Sequence, residues 1–242
     1  MQGRTGWQLT FSCEHGGNRV PPEYAELFAA AQEVLSTHRG YDLGIASFAR
    51  RLAEVFDVPL SLAEVTRLLV ELNRSPGHPA LFSEFSRTLS EKERRRLLEW
   101  YYYPYRQEVT ERIEGIVASG GKVCHISLHS FTPELNGEVR KADIGLLYDP
   151  RRVLEKHFCS LWENVLKEGQ GRFLVRRNYP YRGVADAFVT ALRRRFSASA
   201  YLGLELEVNQ KWLLQGGEAW EELQNLLQQS LLSLWTDWPA VS

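Results

Sequence analysis

Strand-length apolar runs alternate with helix-period stretches along this chain. The runs are Trp7 to Cys13, Val65 to Leu72, Lys122 to Leu128, Ile144 to Tyr148, Phe173 to Arg176 and Tyr201 to Val208. Between them, Leu43 to Phe56 places Ile45, Phe48, Ala49, Leu52 and Phe56 on one helical face, and Ser90 to Ala118 opens with Ser90 and Glu93 spaced as a capping box. Pro150 to Glu168 and Val184 to Phe196 read as two further helices, the first ending near Gly169. Strands separated by helices predict an α/β layer fold with a largely parallel central sheet, whose sites form at the carboxyl ends of strands. No repeat, low-complexity tract or linker divides the pattern, so residues 1–242 read as a single domain.

The last segment, 212–238, reads as an acidic amphipathic helix. Leu223, Leu226, Leu227, Ser230, Leu231 and Leu234 recur at helical spacing, Trp220, Trp235 and Trp238 add bulk, and no Lys or Arg follows Lys211. Packing onto the core is one expectation for it; a homodimer interface is the other, because Trp is enriched where interfaces bind most strongly.

Composition narrows the function classes. A net charge of −1 leaves no basic surplus for phosphate, which argues against a nucleic-acid partner. No apolar run reaches the ~20 residues of a membrane span, and Met1 to Thr10 lacks the layout of a signal peptide, so a cytoplasmic protein without a membrane partner is expected. Cys13, Cys124 and Cys159 form no CxxC pair and sit in apolar or helical surroundings, which suits a reducing compartment and core packing.

The chemistry gathers at strand ends. The first strand runs into Ser12-Cys13-Glu14-His15-Gly16-Gly17-Asn18 and the Lys122 strand into His129-Ser130-Phe131, each delivering a histidine to the mouth of the sheet. Glycines beside His15 leave room for close approach of a ligand. Asp42, in the turn before the Leu43 helix, is either its N-cap or a third ligand. Two histidines and a carboxylate with an open position are the ligand set of a catalytic zinc. Asn73-Arg74 offers an amide and a planar fork for an anionic substrate. Glu205 and Glu207 share one face of an apolar strand, where a carboxylate is paired or functional, and one of them is a candidate general base.

The ordered set Cys13 to Pro21, Gly40-Tyr41-Asp42, Leu72-Asn73-Arg74-Ser75, Ser127 to Phe131, Asp143-Ile144-Gly145, Asn178-Tyr179-Pro180-Tyr181-Arg182-Gly183 and Gly203-Leu204-Glu205 resembles the N-formylglutamate amidohydrolase family. The resemblance implies a three-layer α/β/α, phosphorylase/hydrolase-like domain akin to the zinc carboxypeptidases, hydrolysing the amide of an acidic N-acyl amino acid. It makes His15 and His129 zinc ligands, with Asp42 or Glu14 completing the set, and Glu205 the residue that activates the zinc water. It makes Asn73 and Arg74, with Asn178, Tyr181 and Arg182, the substrate-binding group. Arg106, after Tyr103-Pro104-Tyr105, stands where relatives often carry His. A zinc peptidase acting on small peptides and a binding module for an acidic ligand are the rival expectations.

Overall fold

In a computed structural model that describes residues 6–168 and 171–238, six strands form one central sheet. They are β1 (Trp7–Cys13), β2 (Leu60–Leu62), β3 (Lys122–Phe131), β6 (Ile144–Leu147), β7 (Val175–Arg177) and β8 (Tyr201–Asn209). A small hairpin, β4 (Glu134–Leu135) with β5 (Glu138–Val139), follows β3. The sheet order is β2-β1-β3-β8-β6-β7. The first four strands run parallel, β6 turns back antiparallel to β8, and β7 pairs parallel with β6.

Helices cover both faces, giving the three-layer α/β/α architecture. On one side α2 (Ile45–Phe56), α5 (Val153–Glu168) and α8 (Glu218–Asp237) pack over Trp7, Leu9 and Phe11 of β1, Cys124, Ile126 and Leu128 of β3, and Leu202, Leu204, Leu206 and Val208 of β8. On the other, a 3-10 turn (Pro22–Phe28), α4 (Tyr103–Ala118) and α6 (Phe188–Arg195) share a second cluster with Val123 and Tyr201. Three shorter helices complete the set: α1 (Gln32–Leu35), α3 (Glu91–Leu97) and α7 (Lys211–Gln215). Among the described residues no helix is long and apolar enough to cross a membrane.

Strand alternation decides where polarity goes. Cys124, Ile126 and Leu128 of β3 and Leu202, Leu204, Leu206 and Val208 of β8 are apolar and face the first helix layer. The odd-numbered residues change from Val123 and Tyr201 at the amino end to Ser127, His129, Glu205 and Glu207 at the carboxyl end, all buried. One face is therefore core over most of its length, and the other becomes a buried polar site over its second half.

Several elements differ from the sequence reading. Val65 to Leu72 is not a strand: Val65 makes one isolated bridge to Arg19, and the rest turns. Leu68, Leu69, Val70 and Leu72 are buried in the second cluster, so apolarity alone imitated a strand. The true second strand is the short β2, whose residues precede that run. The Ser90 stretch does open with the capping box, but a π turn over Leu98–Tyr102 joins α3 to α4, immediately before Pro104, which cannot donate to the residue a turn earlier. Helices expected from Pro150 and Val184 begin at Val153 and Phe188. Gly169, expected to end α5, lies outside the described residues. The apolar stripe of α8, with Leu223, Leu227, Leu231, Leu234, Trp235 and Trp238, is spent on the chain's own core, so a homodimer would have to use another face.

Candidate metal centre and its cavity

Three segments bring His15, Asp42 and His129 together. His15 follows the end of β1, His129 lies within β3, and Asp42 sits in the turn before α2. Asp42 does not cap that helix: Gly44 holds the N-cap position and no side chain bonds there. The turn is fixed instead by the Asp42 N–H donating to the His15 carbonyl at 2.9 Å, and by the Thr66 hydroxyl and Arg67 N–H donating to the Gly40 carbonyl. The Asp42 carboxylate is thereby aimed at both rings. One oxygen, Oδ2, lies 3.4 Å from His15 Nδ1 and 3.0 Å from His129 Nδ1, and also accepts from the Ser130 N–H at 3.2 Å. One donor atom from each of the three residues falls within 4.8 Å of the others, and all three side chains are buried.

Carboxylates hold the outer edges of the two rings. His15 Nε2 meets Glu71 Oε1, and His129 Nε2 lies 3.1 Å from Glu14 Oε2. A carboxylate only accepts, so each Nε2 donates outward and each Nδ1 faces inward toward Asp42, His129 Nδ1 within hydrogen-bond distance of Oδ2 and His15 Nδ1 beyond it. His15 Nδ1 is buried with no hydrogen-bond partner. A lone pair against a carboxylate oxygen is repulsive unless a proton or a cation stands between them. Imidazole nitrogen and carboxylate oxygen at this spacing suit a zinc-type divalent ion, so the residues present fit the metal.

Electrostatics around the centre follow from these contacts. Burial alone would raise the carboxyl pKa of Asp42, yet His15, His129 and Arg67 outweigh it and hold the group well below its ordinary range. Glu71 is likewise held low, burial being overcome by Arg67 and His15, and Glu14 by His129 and Ser127. Burial would lower His129, but Asp42 and Glu14 win and raise it. Arg67 ties the set together, donating from Nη1 to Asp42 at 3.2 Å and from Nε to Glu71 at 2.8 Å. Glu14 is occupied elsewhere: it accepts from Tyr105 Oη at 3.1 Å and from Ser127 Oγ, and does not reach His15. Of the two carboxylates the sequence left open, Asp42 is the one that meets both histidines.

The centre opens into a cavity of about 140 Å³ whose walls include Arg74, Tyr181, Arg182, Glu205 and Glu207. Asn73 Nδ2 donates to Glu205 Oε1 at 3.0 Å, and its own Oδ1 accepts from the Phe188 N–H at 2.7 Å, which orients the amide. Arg74 bonds only to carbonyl oxygens, those of Asn73 and Asp186, leaving its charge unneutralised by any ion pair among the described residues. Glu207 Oε2 is buried without a partner; burial, with Asp42 and Glu205 nearby, pushes its carboxyl up to about 8.

Other expected residues are placed differently. Asn178 does not line the cavity: at φ 52° its Oδ1 accepts from the Tyr148 and Gly183 N–H groups, both at 3.0 Å, and shapes the loop that presents Tyr181 and Arg182. Gly183 belongs to the same device, because a Cβ there would stand 2.2 Å from the Tyr148 nitrogen. The glycines after His15 are required by packing, since a Cβ at Gly17 would collide with the Glu64 backbone at 2.4 Å. Arg106 donates to the Leu72 carbonyl at 2.8 Å, and Tyr102 Oη to the Arg74 carbonyl at 2.6 Å, so α4 and the π turn before it hold the Asn73-Arg74 turn from behind. Burial pushes the Cys13 thiol far up, with Glu14 and Asp42 adding to it, which disfavours the thiolate. Glu71 and Arg67 escaped the sequence reading. Their signal was there, a carboxylate inside the apolar run Val70-Glu71-Leu72, the same argument that singled out Glu205.

The family model for N-formylglutamate amidohydrolase matches residues 7–214. A crystal structure of a gene product from Agrobacterium tumefaciens is similar, with 28% identity, 96% of this chain and 92% of that chain covered, and a TM-score of 0.74. The crystal structure of N-formylglutamate amidohydrolase from Ralstonia eutropha JMP134 shares the fold, with 22% identity, coverage of 94% and 92%, and a TM-score of 0.73. No curated relative matches the sequence. With the family model spanning most of its length, including every residue of the centre and its cavity, this chain belongs to the N-formylglutamate amidohydrolase family.

Proposed function

We propose that the protein is a metal-dependent amidohydrolase that cleaves the amide of an N-formyl or other short N-acyl amino acid, with His15 Nδ1, Asp42 and His129 Nδ1 holding a zinc-type ion. The observation that carries this is the pair of inward Nδ1 atoms converging on one Asp42 oxygen, with both outer ring nitrogens committed to Glu71 and Glu14. A bound ion of this kind supplies Lewis-acid polarisation of the amide carbonyl and an acidified water. Arg74 takes the substrate carboxylate through its unneutralised guanidinium, with Tyr181 and Arg182 on the same cavity wall. Glu205, oriented by Asn73, accepts the proton of the attacking water and passes it to the departing amine nitrogen. A second reading of that step gives it to Glu207, favoured by its free Oε2 facing the same cavity.

Cavity size supports this reading over its rivals. About 140 Å³ is small beside the ~300–1,000 Å³ of ordinary ligand pockets, and it favours a formyl-sized acyl group over a peptide. The buried, free cysteines suit a reducing cytoplasmic setting. Turnover of N-formyl amino acids by zinc-loaded protein, set against dipeptides and against a binding-only titration, tests the assignment. Release of formate supports it, whereas preferential dipeptide cleavage or tight binding without product favours one of the rivals.

A further inference from the structure

A groove of about 780 Å³ is lined by α4 and α6, and it shares no lining residue with the metal cavity. Its volume falls within the ~300–1,000 Å³ of ordinary ligand pockets, which the metal cavity does not reach. The apolar part consists of Phe188, Ala191 and Leu192 of α6 with the exposed Tyr103 of α4. The charged part is unbalanced, since three arginines against two glutamates leave one positive charge over. Glu114 is paired with Arg195, accepting from its Nε at 2.9 Å, and Glu111 accepts from Gln107 Nε2 at 2.6 Å. Arg106 and Arg194 have no ion pair among the described residues.

Arg106 is the better ordered of these two cations. Its guanidinium stacks on two rings, 4.1 Å from the centre of Phe188 and 4.9 Å from that of Tyr102. Its Nη1 donates to the Leu72 carbonyl at 2.8 Å and to the Arg74 carbonyl at 3.4 Å. Nε and Nη2 make no hydrogen bond among the described residues, and neither is buried without a partner. What remains open is therefore the Nε–Nη2 edge, the parallel pair of donors that meets a carboxylate side-on. Stacking on rings holds the fork in place without neutralising it.

Both walls of the groove also reach the substrate side. Arg106 holds the Leu72 and Arg74 carbonyls from α4, and the Phe188 N–H at the start of α6 donates to Asn73 Oδ1 at 2.7 Å. A carboxylate on the free edge of Arg106 leaves the Nη1 bonds in place and keeps the guanidinium from swinging off the two carbonyls.

We infer that the α4–α6 groove is a second ligand site, for an amphipathic monocarboxylate whose apolar body lies on Tyr103, Phe188 and Leu192 and whose head pairs with Arg106 and Arg194, and that its occupancy tightens the Asn73-Arg74 turn. The ligand site stands on the groove alone; the coupling rests on the proposed role of Arg74 in holding substrate.

Hydrocinnamate is a suitable probe, with hydrocinnamamide lacking the charged head and propionate lacking the body. Calorimetric titration into the metal-loaded protein should show one site per chain, weakened roughly tenfold or more for either control. Ala191→Trp, which fills the groove, should abolish binding. Should that variant fail to fold, the double variant Tyr103→Ser with Arg194→Gln, both at exposed positions, should weaken binding about tenfold. At saturating hydrocinnamate, the affinity for N-formyl-L-glutamate should rise about threefold, read as a fall in KM with kcat unchanged or, without turnover, by titration. A raised KM, which is competition at the metal cavity, or binding that survives in the groove variants, overturns the ligand site. Unchanged substrate affinity with binding lost in those variants overturns the coupling. Groove binding in a protein that hydrolyses no formyl compound upholds the ligand site and sinks the hydrolytic reading instead.

Discussion

His125 and His129 lie on the same face of the same strand, both buried, and they are driven in opposite directions. His125 sits between two hydroxyls, its Nδ1 2.8 Å from Tyr201 Oη and its Nε2 2.8 Å from Ser12 Oγ. Burial pushes its pKa down to about 4, so it is a neutral packing residue that satisfies two polar neighbours. His129, two repeats of the pleat further on, sits between Asp42 and Glu14, and the carboxylates overcome burial and raise it. The lower half of this sheet face is a closed polar core; the upper half is a charged centre open to a cavity. What separates structure from chemistry here is whether carboxylates face the ring, since both histidines are buried and hydrogen-bonded.

Substitutions across that boundary should behave differently, and the largest effects belong to the upper half. Glu205→Gln should lower kcat by about 10²–10⁴ while leaving metal content intact, as expected for loss of a general base; an equal loss in Glu207→Gln with little in Glu205→Gln would transfer the role one pair along β8. Glu71→Gln should weaken metal affinity roughly 10- to 100-fold in a chelator competition, because His15 Nε2 loses the carboxylate that fixes its tautomer.

The lower half answers in stability. His125→Leu should cost about 2–4 kcal/mol in denaturant unfolding, two buried hydroxyls losing their partner, with metal stoichiometry unchanged. The smallest effect is a pH dependence. Glu207 is raised from its ordinary 4.5 to about 8, so the folded state favours its protonated form. Its contribution to stability is complete below about pH 4.5 and is lost as pH rises through about 8. Metal-free Glu207→Gln should therefore gain on metal-free wild type as pH climbs, by a few degrees in Tm at pH 9, and a gap independent of pH would remove Glu207 from the charged half.

How much of this was legible in the sequence depends on the kind of signal. His15 and His129 stood out because an apolar strand running into a polar turn ends at the mouth of a sheet, a rule that holds whatever the side chains touch. Asp42 was ambiguous because a carboxylate before a helix is as often a cap as a ligand, and only the tertiary bonds to Gly40 and His15 decide its direction. Glu71 and Arg67 were hidden inside an apolar run that imitated a strand, although its leucines are buried from a turn. Asn178 was assigned to the substrate, but its left-handed backbone and two N–H contacts are those of a loop anchor, which spacing alone does not reveal. The layer order was readable from alternation; the reversal at β6 was not, because a short four-residue strand looks the same in either direction.

The central claim is that Asp42, not Glu14, joins His15 and His129 around a metal. Anomalous diffraction at the zinc edge from metal-soaked crystals tests it most directly. The expected result is one ion per chain at ~2.0–2.2 Å from both Nδ1 atoms and an Asp42 oxygen. An ion bound through Nε2 and Glu14, or no ion at saturating zinc, would contradict the account.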